Sequence, residues 1–319
     1  MKFCKLIVSE PQGLPRNFLV ISILLGAGLS AEVSAQDLEP RRWSHLPIGQ
    51  NIIGVGYVYT EANIFFSPVL KITDGTSRIN SLGLTAIHNF EMAGKSARFS
   101  VLVPYLSGRW DGDVEGAFQT IRRDGVGDPR FRLSINLYGA PPLKGKAFAQ
   151  YRAEHTISTV VGASIAMTVP LGKYCHDCLI NIGNNRWSVR PQVGVVHKRG
   201  PWSFELTGSA FLFTNNYSFI DKAVLKQKPV YALQTHVIYD FPRRLWVSLS
   251  AGYGIGGGIR IDEIRTKFKV DNWVWAASFG FPIGKTQSVK LTWLSGRTQN
   301  QAGRDSDNLV LSWSLRWDG

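Results

Sequence analysis

Hydrophobic and polar residues alternate with period two over twelve stretches of the chain, and residues 186–214 show the rule most plainly. In the first run Trp187, Val189, Val193 and Val195 share one face, while Arg186, Ser188, Arg190 and Gln192 share the other. In the second run Trp202, Phe204, Leu206, Ala210 and Leu212 oppose Ser203, Glu205, Thr207 and Ser209. Side chains alternate across a strand, so two such runs joined by the short polar turn 197–201 predict an antiparallel hairpin. The same pattern covers 51–60, 78–90, 96–107, 128–138, 157–170, 230–240, 245–254, 272–282, 287–297 and 308–317. The links between these runs alternate too: those after even runs are short and those after odd runs long, except for 139–156, where a short helix around Lys146 to Arg152 is expected.

The alternation has an unusual sense. The apolar faces are crowded with rings, and the opposite faces are too polar to form a packed core. Rings gather near the run ends, with Tyr57, Tyr59, Tyr105, Trp187, Tyr231, Trp273 and Trp275 at one rim and Phe90, Trp202, Trp246, Phe281 and Trp317 at the other. Runs of about ten residues exceed the usual strand of five or six, which argues against a soluble sandwich. The fold class predicted is all-β: an antiparallel transmembrane β-barrel of about 12 strands, with short periplasmic turns, long external loops and both termini in the periplasm.

The N-terminus adds to this picture. Lys2, Lys5 and Arg16 precede an apolar run from Phe18 to Leu29 and the small-residue triplet Val33-Ser34-Ala35. This reads as a signal peptide, residues 1–35, cleaved after Ala35 for export to the bacterial outer membrane. Residues 36–50 are expected as a periplasmic segment and 51–319 as a single barrel. The formal net charge is +13, which removal of the leader lowers by one. An exported basic chain meets outer-membrane lipid, lipopolysaccharide and small-molecule solutes rather than nucleic acid. No cofactor is expected, and the sequence assigns no oligomeric state.

The inward faces supply the candidate lining: Arg98, Arg130, Arg132, Arg186, Arg190, Gln192, Glu205, Gln234, His236, Asp240, Lys290 and Arg316. Such a cationic surplus either biases a pore toward anions or braces the barrel through internal ion pairs. An apolar segment in the first external loop, with Ile64, Phe65, Phe66, Val69 and Leu70, is expected to fold inward as a constriction. Its alternative is extra strand. Cys175 and Cys178 fit a loop disulfide better than a redox or zinc site, having no second pair. The Gly-rich string at 252–258 opens no helix and is not a dinucleotide loop. A hydrolase would need His236, Ser248 or Ser250, and Asp240 to converge, yet no nucleophile motif marks either serine. Pro191, lacking a ladder donor, predicts a bulge.

Several phrases resemble one family. They are DLEPRRWSHLPIG (37–49), IFFSPVL (64–70), RDG (123–125) leading to DPR (128–130), NLYGAP (136–141) and RPQVG (190–194). The chain resembles the outer-membrane transporter family named for the meta-pathway of phenol degradation, loosely akin to the long-chain fatty-acid transporter barrels. That resemblance implies a passive outer-membrane channel for small molecules, hydrophobic or aromatic compounds among them. A general anion-biased porin is the alternative, and a lipid hydrolase or purely structural barrel the third. Two features depart from the family: the Cys175/Cys178 pair, and two residues beyond the terminal aromatic Trp317.

Overall fold

The computed structural model describes residues 38–65, 72–114, 116–178, 180–266 and 268–319. The leader therefore lies outside the described residues, as do Phe66, Val69 and Leu70.

Each predicted run is a strand. In chain order the barrel strands are β1 (Gln50–Phe65), β2 (Ile72–Met92), β3 (Lys95–Val114), β4 (Arg130–Tyr138), β5 (Ile157–Thr168), β6 (Ser188–Arg199), β7 (Trp202–Phe213), β8 (Val230–Asp240), β9 (Trp246–Gly256), β10 (Val270–Ile283), β11 (Gln287–Thr298) and β12 (Gly303–Asp318). Each pairs antiparallel with its sequence neighbours. The sheet then closes, because β1 runs beside β12 in unbroken register from Gln50↔Asp318 to Phe65↔Gly303. Closure is what lipid demands, since hydrocarbon offers no partner to an unpaired N–H or C=O.

The pleat sorts side chains as the alternation predicts. Leu84, Val193 and Leu249 stand outside at 57%, 63% and 70% exposure, while Gln192, Glu205, Thr207, Gln234 and His236 point inward at 2% or less. The outer face has the composition of a lipid-facing surface, where a single Arg or Lys at the bilayer midplane would cost about 2–4 kcal/mol. The β2–β3 turn uses Ala93 and Gly94, both at positive φ (51° and 69°), the backbone that a two-residue hairpin needs. On the same end lie the start of β1, the C-terminal Gly319 and helix α1 (Gly145–Glu154), which occupies the long β4–β5 link.

Two parts differ from expectation. Pro191 causes no bulge: β6 keeps one constant register with β5 and with β7, and Arg190 and Pro191 merely lack partners on the β7 side. The missing donor removes a rung, and the intact pairs on either side hold the register. The external loops also carry structure of their own. Ala117–Val126 extends β3 as a hairpin beyond the barrel, and a separate four-stranded sheet is built from Asn216–Phe219, Ala223–Gln227, Ile259–Ile261 and Ile264–Arg265.

Candidate functional site: an occupied lumen

The segment ahead of β1, expected in the periplasm, runs back up inside the barrel instead. It enters at the turn-bearing end, where the Gly49 N–H donates to the Asn89 carbonyl (2.7 Å) and the Ile48 N–H to the Leu143 carbonyl (3.0 Å). His45 then meets α1, its Nε2 2.7 Å from the Pro141 carbonyl and its ring edge-on to Phe148 and Tyr151. Burial pushes the His45 imidazole below its usual pKa, and Nε2 is the donor because a carbonyl oxygen can only accept.

Trp43 lies deeper, fully buried, with its indole N–H donating to Thr207 Oγ1 at 2.7 Å. Its seat is a row across three strands: Gly162 of β5 pairs with Gly194 of β6, and Gly194 pairs with Thr207 of β7. A Cβ at Gly194 would come 2.1 Å from Trp43 Nε1, and one at Gly162 would come 2.3 Å from Cε3. The indole thus fills volume that wall side chains would otherwise occupy. Further along, Leu38 packs with Val274 and Ala276.

Charge fixes the rest of the segment. The Glu39 carboxylate lies between Arg42 (2.6 Å) and Arg132 (3.0 Å). The Arg41 backbone N–H donates to Glu205 at 2.9 Å, while its guanidinium pairs with Asp240 and stacks over Trp246. Arg98 donates to Asn89 and reaches the carbonyls of Arg42 and Ser44 at 3.4 and 3.3 Å. Gln192 accepts from Arg42 and from Ser164. The lumen supplies these partners because its walls are polar, which gives a charged, proline-flanked segment a place to be satisfied.

The candidate lining residues therefore divide. Arg98, Arg132, Gln192, Glu205 and Asp240 touch the N-terminal segment, and buried Gln234 and His236 lie on the same polar face. Toward the external end, Arg186 and Arg190 stack on Phe213 and Phe211. Arg130 and Lys290 are half-buried, and Arg316 sits at the turn-bearing rim, donating to the Lys285 carbonyl. His236 Nδ1 lies 2.7 Å from Ser250 Oγ, whereas Asp240 is taken by Arg41, so histidine and acid do not join in a relay.

Apolar residues gather on one side of the external mouth. Ile64, Ile79, Leu106 and Trp110 face inward and pack against Ile180 and Ile182 of the long β5–β6 loop. Buried Asp128 pins this loop, accepting from the Gly172 N–H (2.8 Å) and from the Asn184 N–H and side chain (2.8 and 3.2 Å). A disulfide joins Cys175 to Cys178 in the same loop. Of the apolar residues expected to fold inward, Ile64 faces into this cluster, whereas Phe65 is strand and faces outward at 42% exposure, because one residue along a pleat reverses the face. Sequence reasoning missed Ile180 and Ile182, although an apolar cluster inside a cysteine-bearing loop was a usable signal.

Comparisons add an outside reference. The family model described as "Putative MetA-pathway of phenol degradation" matches residues 58–309. The fold is similar to the crystal structure of the COG4313 outer membrane channel from Pseudomonas putida F1, with TM-score 0.74 and 20% identity over 88% of this chain and 100% of that one. It is also similar to the transport unit of the autotransporter AIDA-I from Escherichia coli, with TM-score 0.51 and 8% identity over 95% of this chain and 99% of that one. No curated protein matches the chain.

Proposed function

This chain belongs to that phenol-degradation family, and from that premise we propose that it is a passive channel of the bacterial outer membrane for small molecules, apolar and aromatic compounds among them, with its own N-terminal segment as a movable plug. The carrying observation is the occupied lumen. A purely structural barrel fills its interior with wall side chains. Here the wall is hollowed by Gly162 and Gly194, and the space is filled by a segment that belongs to no strand. Side-chain bonds and ion pairs hold that segment, with no ladder to break before it leaves. A lumen wide enough for a polypeptide segment is wide enough for a small aromatic solute once the segment withdraws. The leader-like N-terminus and the lipid-facing exterior support the outer membrane as its place.

Currents across planar bilayers carrying the purified full chain test this reading: discrete openings are expected. An absence of both current and solute flux would falsify it. A second reading concerns ions. The wall carries Arg98, Arg130, Arg132 and Arg190 against Glu205 and Asp240, and it keeps that cationic surplus when the plug leaves, taking Glu39, Arg41 and Arg42 with it. Rings of cationic side chains favour anions. In a potassium chloride gradient the reversal potential is expected to take the chloride sign; the potassium sign would reject the bias.

A further inference from the structure

The external four-stranded sheet carries a charge pattern that conduction does not use. Its strands lie in the order Asn216–Phe219, Ala223–Gln227, Ile259–Ile261, Ile264–Arg265 when read from the other edge of the sheet. One face is apolar, with Phe219, Leu225, Ile259 and Ile261 buried together and Phe268 against them. Across the strands, Lys226 pairs in register with Arg260, and Arg260 with Arg265. Side chains of directly paired residues share a face, so three cations stand in one row, on the side opposite Leu225 and Ile261.

Like charges placed directly across a sheet repel, and a row of this kind calls for anions. The sheet itself supplies one to the row: Glu263 pairs with Lys226 and lies 3.9 Å from Arg260. Asp262 is occupied differently, accepting the Val224 N–H at 2.8 Å. Arg265 and nearby Lys228 are exposed, and no ion pair to a carboxylate is found for either among the described residues. The two loops that hold the sheet, residues 214–229 and 257–269, contain seven Lys and Arg against three Asp and Glu.

The position of the row points to a partner. The Asn216–Phe219 edge is tied toward the mouth, where Ser218 and Asn216 bond Tyr174 and His176 of the β5–β6 loop. The Arg265 edge is the opposite one. Just along the strands that feed the sheet, Tyr231 and Ile255 are cross-strand partners exposed on the lipid-facing side at 57% and 46%. The basic row therefore lies immediately beyond the apolar belt, at the level where phosphates of outer-leaflet lipid are found.

We propose that Lys226, Arg260 and Arg265 form a binding site for the phosphates of the outer-leaflet glycolipid, that is, the lipid A part of lipopolysaccharide. The site holds the barrel against its annular lipid and leaves the lumen untouched. It rests on the outer-membrane placement argued above, but not on conduction.

The test uses the purified full chain in detergent, with bisphosphorylated lipid A, the same lipid A without phosphates, and inorganic phosphate as probes. Each basic residue near an anionic lipid surface contributes about fivefold, so the triple variant Lys226→Ser, Arg260→Ser, Arg265→Ser is expected to bind bisphosphorylated lipid A on the order of a hundredfold more weakly. Its bilayer currents are expected to equal those of the unaltered chain, which separates failure of this site from failure of the channel reading. Arg265→Ser alone, at the sheet edge where folding is least at risk, is expected to lose about fivefold. Equal binding of lipid A with and without phosphates would overturn the proposal. So would unchanged affinity in both variants, or full displacement of lipid A by an equal concentration of inorganic phosphate.

Discussion

Deletion of residues 38–46 is expected to convert gated openings into a standing conductance on the order of tenfold above that of the full chain, because an occluded lumen becomes one lined only by its wall. The cut leaves Pro47, Ile48 and Gly49 in place, and with them the Gly49–Asn89 bond and the bond from the Gly319 N–H to the Gly49 carbonyl, so the barrel seam keeps its terminal ties. The strand ladder loses nothing, since β1 begins at Gln50. Breaking a buried ion pair normally strands a charge in low dielectric. Here the plug is replaced by water, and Glu205, Asp240 and Arg132 are solvated as they lose their partners. The barrel should therefore remain folded, and planar-bilayer recording of the deleted and full chains provides the comparison. A conductance no higher than that of the full chain would show that the segment does not obstruct the path.

Gly162→Val is expected to expel the plug while leaving every plug residue in place. The new Cβ would fall 2.3 and 2.7 Å from Trp43 ring carbons, with Asn136 Oδ1 the next neighbour at 3.2 Å. Gly194 is the less clean site, because a Cβ there also meets the Leu206 carbonyl of the backbone at 2.8 Å. Overpacking of this kind costs about 1–3 kcal/mol. If that cost falls on the seated state alone, the ratio of open to closed time rises roughly 5- to 150-fold, at 1.4 kcal/mol per factor of ten. Pairing Gly162→Val with Trp43→Ala removes the clash, so the double variant is expected to be non-additive, with the valine adding little to the effect of the alanine. Fully additive effects would mean that Gly162 and Trp43 do not meet.

The barrel was legible because its signal is local and repeated. In β7, Phe204 and Leu206 against Glu205 and Thr207 state both faces within four residues, and the short turns fix the direction of each neighbour. The helix in the β4–β5 link, expected around Lys146 to Arg152, occupies Gly145–Glu154. The plug left no such trace. Residues 38–49 have no period, and their partners are remote: Trp43 and Thr207 are 164 positions apart, and Glu39 and Arg132 are 93 apart. Gly162 and Gly194 look in the sequence like gaps in an alternation, and only a ring seated over both gives them a purpose. The external sheet escaped notice for another reason. Its strands are two to five residues long, too short for periodicity to register. Phe65 continues the outward parity of Ile53, Val55, Tyr57 and Tyr59, so its face follows from the pleat of β1 running on into an apolar stretch that resembles a loop insertion.

The most direct test of the channel is the flux of a neutral small aromatic compound too polar to cross lipid unaided, such as a phenyl glucoside, into proteoliposomes holding either the full chain or the 38–46 deletion. A neutral solute removes any contribution from the wall arginines and isolates the question of an open path. The account predicts flux above protein-free liposomes for the full chain, faster flux for the deletion, and a rate linear in the gradient for both. Flux indistinguishable from protein-free liposomes in both preparations would contradict it.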